Sequence, residues 1–436
     1  MEAGMLLEIR RRLQGGLLIV REPNARSLPL DISVTPSSLK IKSCQACTTI
    51  NLPAEVRIVP SYCRGIQYVA GDGLHVRLQV EADSNAKLVS TLCEILKANK
   101  SCIFYCQTCG EMIIKDRTFL RVLPLPSENW SALVEEWCCH ANPFASVLHP
   151  QSNDCFLGDT YFLVNSGYEA HVSGAEKVNW ETEHSASQSG SALKSKENNS
   201  VICKRCKTML GEAVSSGIIK YYITEMIIQP SEKRFVMIPR SQFVQSIIAQ
   251  CLVELSSSRS TFRFSIQGHD GKVYTLMWLL NVDTLLMESL GNSAPSNVFT
   301  LFEDSLRSHA KSSGTWNAVK VLYLPCIKNR NKDLADAWGN DIGVHSLIFP
   351  SKTCLELLLI LSLSNASLPP SLRCMNSFQS CCLTLSGETQ FRTKAWRSTA
   401  KRKFSSSFFC KQPDFLEEGS TLLTQATMNI IIFTRI

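Results

Sequence analysis

Apolar and polar positions alternate in short segments along the first hundred residues, and glycine and proline separate these segments. Such alternation is typical of β-strands. The clearest case is residues 66–80, where a short apolar segment leads into the turn Ala70-Gly71-Asp72-Gly73 and a second arm alternates apolar and polar residues from 74 to 80. One face of that arm is therefore apolar, and the segment predicts a β-hairpin.

A helical period replaces this alternation in the second half of the chain. After Pro239, apolar residues recur at helical spacing between Ser241 and Leu255, which predicts an amphipathic helix. The pattern also predicts strands over residues 262–267, 273–280 and 319–323. The predicted fold class is α+β, with a β-rich N-terminal domain and an α+β C-terminal domain joined through a four-cysteine zinc site.

Length and local composition suggest where the chain divides. A chain of 436 residues exceeds the size at which single cores stop growing. Residues 165–200 are rich in Ser, Gly, Glu, Lys and Asn, a composition that favours a flexible linker or insertion. The predicted parts are therefore a domain over 1–164, this linker, a domain over 201–379, and a disordered tail over 380–436, where no periodicity is evident.

Cysteine content, more than charge, narrows the class of protein. The chain has 19 cysteines but opens with no export-type signal, which favours reduced thiols and metal binding in the cytoplasm, with the nucleus also open. The longest apolar run, 355–363, contains Glu356 and is too short to span a membrane. A net charge of +7 is mild for this length and gives little support for direct nucleic-acid binding.

Two Cys-x-x-Cys pairs carry the strongest chemical signal. Cys106 and Cys109 follow one apolar strand, and Cys203 and Cys206 follow another. Four thiolates on two tight turns are the ligands of a structural zinc ion, so we predict zinc as the cofactor. The alternatives are a thioredoxin-like redox pair, which requires a helix after the motif, and four unrelated buried cysteines. A further pair, at 44 and 47, lacks a partner pair and is predicted to be incidental.

A second candidate lies on a predicted helix that begins near Ser127 and ends near Pro143. Its tryptophans and aliphatic residues form one buried stripe, and Cys139 lies about 200° around the helix from Trp137, on the opposite face. An outward thiol is either an ordinary surface cysteine or a metal-binding group. In the second case, Cys138, Cys139 and His140 would bind a metal together with Cys155, or a metal held by a partner.

The third candidate is Cys354, which follows Pro350 at the start of an apolar helical segment. A helix N-terminus favours a thiolate, so this cysteine could be activated. A cysteine flanked by leucines is more often a small core residue, and spacing alone favours that reading.

Four motifs together resemble the HECT-like ubiquitin-conjugating-enzyme-binding family over roughly residues 5–379. They are FYCQTCGE (104–111), LPLPSENW (123–130), EWCCH (136–140) and ICKRC (202–206). The resemblance implies a ubiquitin-protein ligase, which accepts ubiquitin from a conjugating enzyme and transfers it to substrates for proteasomal degradation. In the HECT mechanism a cysteine carries ubiquitin as a thioester before an amine attacks it.

The resemblance also implies roles for particular residues. The stretch Pro350-x-x-Thr353-Cys354-x-x-x-Leu358 is similar to the active-site stretch of HECT ligases, and this makes Cys354 the candidate nucleophile. The conjugating enzyme is expected to bind residues 229–251, where Gln242 and Gln245 should be exposed.

A different function follows from the same family. Its members are similar to proteins that hold the zinc-dependent endonuclease of pre-mRNA cleavage and polyadenylation in an inactive form. The segment corresponding to 124–153 would enter the nuclease active site, and Cys139 would ligate its zinc. The alternative to a ligase is therefore a non-catalytic inhibitor or chaperone of that nuclease, which would use the outward thiol described above.

Overall fold

The computed structural model describes residues 4–21, 31–42, 47–83, 96–125, 149–166, 174–179, 199–215, 217–289 and 314–385. Most of these residues lie in β-strands, and three α-helices pack on the sheets. This β-rich mixed architecture agrees with the predicted α+β class. None of the described helices is both long and apolar enough to cross a membrane.

The strands are β1 (Gly4–Arg10), β2 (Gly15–Arg21), β3 (Asp31–Val34), β4 (Ser38–Lys42), β5 (Cys47–Asn51), β6 (Val56–Ile58), β7 (Arg64–Val69), β8 (Gly73–Ala82), β9 (Ser101–Cys106), β10 (Met112–Thr118), β11 (Arg121–Pro124), β12 (Asp154–Leu157), β13 (Tyr161–Asn165), β14 (Ala175–Asn179), β15 (Asn199–Cys203), β16 (Met209–Ser215), β17 (Ile218–Tyr222), β18 (Met226–Pro230), β19 (Arg263–Gly268), β20 (Val273–Ser289), β21 (Gly314–Pro325), β22 (Val344–Phe349), β23 (Cys374–Met375) and β24 (Phe378–Leu385). The helices are α1 (Arg240–Arg259), α2 (Lys332–Gly339) and α3 (Ser351–Ser367).

The largest sheet contains strands from both ends of the described chain. It has 11 strands, and its central path runs β23-β24-β21-β20-β1-β2-β8-β6. β1 pairs antiparallel with both β2 and β20, so the N-terminal strands extend the sheet of the C-terminal half. The hydrophobic cores therefore do not follow the predicted boundary between 1–164 and 201–379.

The disordered tail was predicted to start at residue 380, but the last described strand, β24, continues to Leu385. β24 pairs with β21 along its length, and Cys381 and Leu383 are completely buried in the core under the helices. Apolar residues at 381–383 thus continue the sheet. The chain divides into one compact unit, Met1–Gln390, and a second unit, Phe391–Ile436, which lies outside the described residues.

Helices α1 and α3 cover one face of the large sheet. Val244 and Leu252 of α1 and Leu357 of α3 pack on strand residues such as Val321. This confirms the helix predicted over 241–255 and the strands predicted around it. Helix α2 covers the opposite face, where Trp338 packs with Leu276 of β20 and Leu324 of β21. Side chains alternate between the two faces along a strand, so the next residues, Met277 and Tyr323, lie in the core under α1 and α3.

A second core lies between a three-stranded sheet, β10-β9-β18, and a seven-stranded sheet, β11-β12-β13-β17-β16-β15-β14. At its centre, the ring of Phe162 stacks on that of Tyr221 and is tilted by 39° against that of Phe104, with 5.5 Å between ring centroids in each pair. Strand β14 lies within the segment predicted as a linker, where it pairs with β15. Helix α1 also contributes Cys251 to this core, so it contacts both cores.

The predicted hairpin is confirmed as β7 and β8, and its turn holds a buried carboxylate. Asp72 is 4 % exposed, and its Oδ2 lies 2.9 Å from His75 Nε2. Its two oxygens also accept hydrogen bonds from the backbone N–H and the hydroxyl of Ser371. Burial raises the pKa of Asp72, but the hydrogen bonds from Ser371 and His75 outweigh it and lower the pKa overall.

The stability that is lost when this carboxylate is replaced should depend on pH in a specific direction. Because the folded-state pKa of Asp72 is lowered, the charged form stabilises the fold above the unfolded pKa of about 3.9, and this stabilisation is lost as pH falls through the folded value. We expect Asp72→Asn to be less stable than the wild type at pH 7, with a gap that narrows as the pH is lowered below 4. Thermal unfolding of both proteins between pH 7 and pH 3 measures this gap. A gap independent of pH would contradict the prediction.

Candidate metal centre and its surroundings

The four predicted cysteines lie at two hairpin turns that face each other. Cys106 ends β9, and Cys109 follows in the turn to β10, while Cys203 ends β15 and Cys206 follows in the turn to β16. One hairpin belongs to the three-stranded sheet and the other to the seven-stranded sheet. The cluster therefore links two sheets that share one hydrophobic core.

The thiols have the spacing of a four-coordinate site. All four sulfur atoms lie within 4.8 Å of one another. Cys106 Sγ is 3.6 Å from Cys206 Sγ, and Cys109 Sγ is 3.7 Å from Cys203 Sγ. Sulfur atoms placed tetrahedrally at about 2.3 Å from an ion are about 3.8 Å apart, so the cluster could hold a metal ion.

Both turns fold in the same way, which explains why each pair of thiols points to one place. The N–H of Gly110 donates to the carbonyl of Cys106 at 2.8 Å, and the N–H of Lys207 donates to the carbonyl of Cys203 at 2.9 Å. Gly110 has φ 73° and Lys207 has φ 59°, both in the left-handed region. The sequence signals this requirement in the first turn through glycine, whereas the lysine in the second gives no such signal.

Burial and local hydrogen bonds give three of the four thiols different pKa values. Burial raises the pKa of Cys106 strongly, although the backbone N–H groups of Thr108 and Cys109 donate to its sulfur. Burial also raises the pKa of Cys109, to about 11. Burial acts in the same direction on Cys206, but hydrogen bonds from Thr208 and the neighbouring thiols outweigh it and lower its pKa to about 7. Binding of a cation to four thiolates therefore requires the release of protons.

The first cysteine turn also supports residues 235–240, which lead into α1. The ring centroids of Tyr105 and Phe235 are 4.2 Å apart. A Cβ atom at Gly110 would lie 3.1 Å from the ring of Phe235, so only glycine allows this approach without displacement of the ring. The side-chain amide of Gln107 donates to the carbonyl of Ile238 at 3.0 Å. The turn that carries two of the thiols is thus packed against this segment.

Arg240, the first residue of α1, connects the cysteine turn with α3. Its guanidinium donates to Gln107 Oε1 at 3.2 Å and to Glu225 Oε1 at 2.9 Å. It also donates to Thr353 Oγ1 at 2.9 Å and to Glu356 Oε2 at 2.8 Å. These partners are far apart in the sequence, so no local pattern singles out Arg240.

Comparison with known proteins identifies the family. The HECT-like ubiquitin-conjugating enzyme (E2)-binding family matches residues 8–380, which include both cysteine turns and all three helices. The chain belongs to this family. The match confirms the resemblance on the four motifs, and it extends over both the N-terminal strands and the C-terminal helices.

Relatives within this HECT-like family match nearly their whole length. The chain is 58 % identical over 379 residues to a bovine protein named as an E3 ubiquitin-protein ligase, and the match covers 87 % of the chain and 97 % of the relative. The human protein of the same name is also 58 % identical over 379 residues, with the same coverage. An uncharacterized protein of Saccharomyces cerevisiae is 21 % identical over 164 residues, 36 % of the chain and 42 % of the relative. No solved structure matches the chain.

The segment predicted to bind the conjugating enzyme, 229–251, contains a loop over 231–239 and the first part of α1, and these two parts differ in exposure to solvent. Most of the helical part, 240–251, is buried. Gln245 is only 6 % exposed and accepts a hydrogen bond from the N–H of Thr384, so the expectation that it is exposed is wrong. The loop over 231–239 presents Glu232, Lys233 and Arg234 to solvent, together with Met237.

Cys354, the predicted nucleophile of this HECT-like chain, lies in the main core. It is 1 % exposed on the buried side of α3, and its thiol lies 3.4 Å from the carbonyl of Gln267. Burial, reinforced by the negative charge of Asp270, raises its pKa to about 12. A nucleophilic cysteine requires access and a lowered pKa. The surroundings of Cys354 are those of a core thiol, as its spacing alone suggested.

Of the other cysteines considered as metal ligands, Cys155 and Cys47 lie in the described residues, whereas Cys139 and Cys44 do not. Cys139 lies outside the described residues, as does the rest of 126–148, so its proposed contact with a nuclease zinc stays a prediction. Cys155, named as a possible fellow ligand, is completely buried in the second core. Cys47 is exposed, and its neighbour Cys44 lies outside the described residues.

Proposed function

We propose that this protein is a ubiquitin-protein transferase that binds a ubiquitin-loaded conjugating enzyme and promotes transfer of ubiquitin to substrate proteins, which are thereby marked for proteasomal degradation. The observation that carries the proposal is the match of residues 8–380 to an E2-binding family. Relatives 58 % identical over nearly their whole length are named as ubiquitin ligases, which supports the same activity here.

The metal of the four-cysteine site is proposed to be zinc. Four sulfur ligands on two Cys-x-x-Cys turns suit a tetrahedral zinc site, and a site with four protein ligands leaves no open position for a water or a substrate. Its role is therefore structural. When bound, zinc would hold the β9–β10 and β15–β16 hairpins together and fix the turn that contacts Phe235.

The conjugating enzyme is proposed to bind through the loop over 231–239 rather than through α1. The loop is exposed, whereas α1 is buried between the two cores. The family resemblance predicted that the conjugating enzyme binds residues 229–251. We propose that, of these, the exposed residues 231–239 form the contact.

Transfer is proposed to run directly from the conjugating enzyme to the substrate. A substrate amine attacks the thioester carbonyl, the isopeptide C–N bond forms as the C–S bond breaks, and the leaving thiolate of the conjugating enzyme takes up the proton that the amine loses. The burial of Cys354 and its pKa of about 12 support this route over a second thioester on the chain itself. The protein would then act by binding and orienting the loaded enzyme.

A Cys354→Ala variant tests the route of transfer. We expect it to ubiquitinate substrates at the wild-type rate, with a loss of stability of about 1 kcal/mol from the small cavity in the core. The measurement is a reaction with activating enzyme, conjugating enzyme, ubiquitin and ATP, resolved on gels with and without reductant. Cys374→Ala, at an exposed thiol, is the control.

Two outcomes would count against this proposal in different ways. A reducible ubiquitin adduct on the wild type that disappears in Cys354→Ala, together with loss of transfer, would establish Cys354 as the nucleophile and contradict the direct route. No transfer by the wild type with any conjugating enzyme would contradict the function itself.

A further inference from the structure

Helix α3 presents large apolar residues to solvent on the side away from its core. Its buried face consists of Thr353, Cys354, Leu357, Ile360 and Leu361. On the other side, Leu355 is 50 % exposed and Leu359 is 47 % exposed. The two leucines are four residues apart, so they lie next to each other on one face of the helix. Stability of the core does not require apolar residues at these positions.

The loop over 231–239 ends beside α3, because Arg240, the residue that follows it, donates hydrogen bonds to α3. Glu356, next to Leu355 in the sequence, is bonded to Arg240 at 2.8 Å. Met237, three residues before that arginine, is 42 % exposed. We call Met237, Leu355 and Leu359 together the α3–loop surface.

Basic residues accompany the α3–loop surface. Lys233 and Arg234 are exposed on the loop next to Glu232, and Lys352 is exposed one turn before Leu355 on α3, so basic residues outnumber acidic ones among these four. A partner that fits this surface would present apolar side chains at its centre and acidic groups at its rim.

The α3–loop surface is held in place before any partner binds. On the loop side, the ring centroids of Phe235 and Tyr105 are 4.2 Å apart, and the side-chain amide of Gln107 donates to the carbonyl of Ile238 at 3.0 Å. On the helix side, the Arg240 guanidinium bonds to both Thr353 and Glu356. A surface that is already ordered loses little conformational entropy on binding, and this favours affinity.

We propose that the conjugating enzyme docks on the α3–loop surface, with Leu355 and Leu359 as apolar anchors beside the loop. The inference rests on the proposed function, and it adds α3 to the binding site. Two observations favour the conjugating enzyme as the occupant. The family that matches the chain binds such enzymes, and Arg240 bonds α3 to the end of the exposed loop proposed above to bind them.

Substitution of each leucine by glutamate tests the docking surface. We expect Leu355→Glu and Leu359→Glu each to weaken binding of the conjugating enzyme at least tenfold, because a charge then faces apolar and acidic groups of the partner. Melting temperatures should stay near the wild-type value, since both side chains are about half exposed. The control is Ile342→Glu, at a fully exposed apolar residue in the connection between α2 and β22, which should bind normally.

The measurement is the dissociation constant of the full-length protein for each member of a panel of recombinant conjugating enzymes, by isothermal titration calorimetry. Wild-type binding that the two leucine variants retain would overturn the docking surface and leave the proposed function intact. Absence of wild-type binding to the whole panel would overturn the proposed function. A wild-type dimer in sedimentation velocity that Leu355→Glu converts to a monomer would assign the surface to self-association and overturn the inference.

Discussion

Cys106→Ala is expected to abolish binding of the proposed zinc ion and to lower the free energy of unfolding by several kcal/mol. Structural zinc contributes about 10–16 kcal/mol to the folding of small zinc-finger peptides, although a large core makes the dependence here smaller. The thiols of Cys106 and Cys206 lie 3.6 Å apart, on hairpins of two different sheets. Without the metal, these hairpins are held together by the packing of the second core and by an exposed ion pair between Arg205 and Glu111 at 3.8 Å. Metal content by mass spectrometry and denaturant unfolding measure the two effects.

Cys102→Ala is a closely matched control for this prediction. Cys102 lies on the same strand, β9, four residues before Cys106, and both side chains are buried on the same face. Its thiol is not part of the cluster. We expect Cys102→Ala to keep one metal ion per chain and to lose only about 1 kcal/mol. Equal metal content in the two variants would contradict the assigned site.

Arg240→Ala is expected to destabilise the fold by about 3 kcal/mol or more. Its ion pair with Glu225 is buried, because the glutamate side chain is 1 % exposed. Removal of one partner of a buried pair leaves an uncompensated charge, which typically costs about 3–5 kcal/mol. The variant also removes the bonds to Gln107 and Thr353, so the cysteine turn and α3 both lose a contact. Denaturant unfolding at neutral pH measures the loss.

Glu356→Gln is the control at the exposed end of the same network. Its side chain is 29 % exposed, and Arg240 keeps its bond to Glu225 when this charge is removed. We expect a clearly smaller loss of stability than for Arg240→Ala. A double variant, Arg240→Ala with Glu225→Gln, should recover part of the loss because the buried charge is gone. Equal losses for Arg240→Ala and Glu356→Gln would show that burial of Glu225 does not determine the effect.

The four-cysteine cluster could be predicted from the sequence because its determinants are mostly local. Each Cys-x-x-Cys turn encodes its own geometry, and Gly110 supplies a left-handed position directly after the second thiol. Alternation and helical spacing likewise indicated β8 and α1, since one face of each element follows a simple period.

The pairings between distant segments could not be predicted in this way. Nothing in the sequence of β1 indicates that it pairs with β20, more than 250 residues later. The period of α1 suggested one apolar face, yet Gln245 is also buried, because β24 covers it and Thr384 supplies a hydrogen-bond donor. Similarity to an active-site stretch drew attention to Cys354, whereas its burial depends on contacts with β19.

One measurement tests the proposed function most directly: the single-turnover discharge of ubiquitin from a pre-loaded conjugating enzyme to free lysine. Activating enzyme is removed before the protein is added, so only release of the existing thioester is followed. We predict that the wild-type protein accelerates discharge for at least one conjugating enzyme and that Leu355→Glu reduces the acceleration. Discharge at the same rate with and without the wild-type protein, across a full panel of conjugating enzymes, would contradict the account.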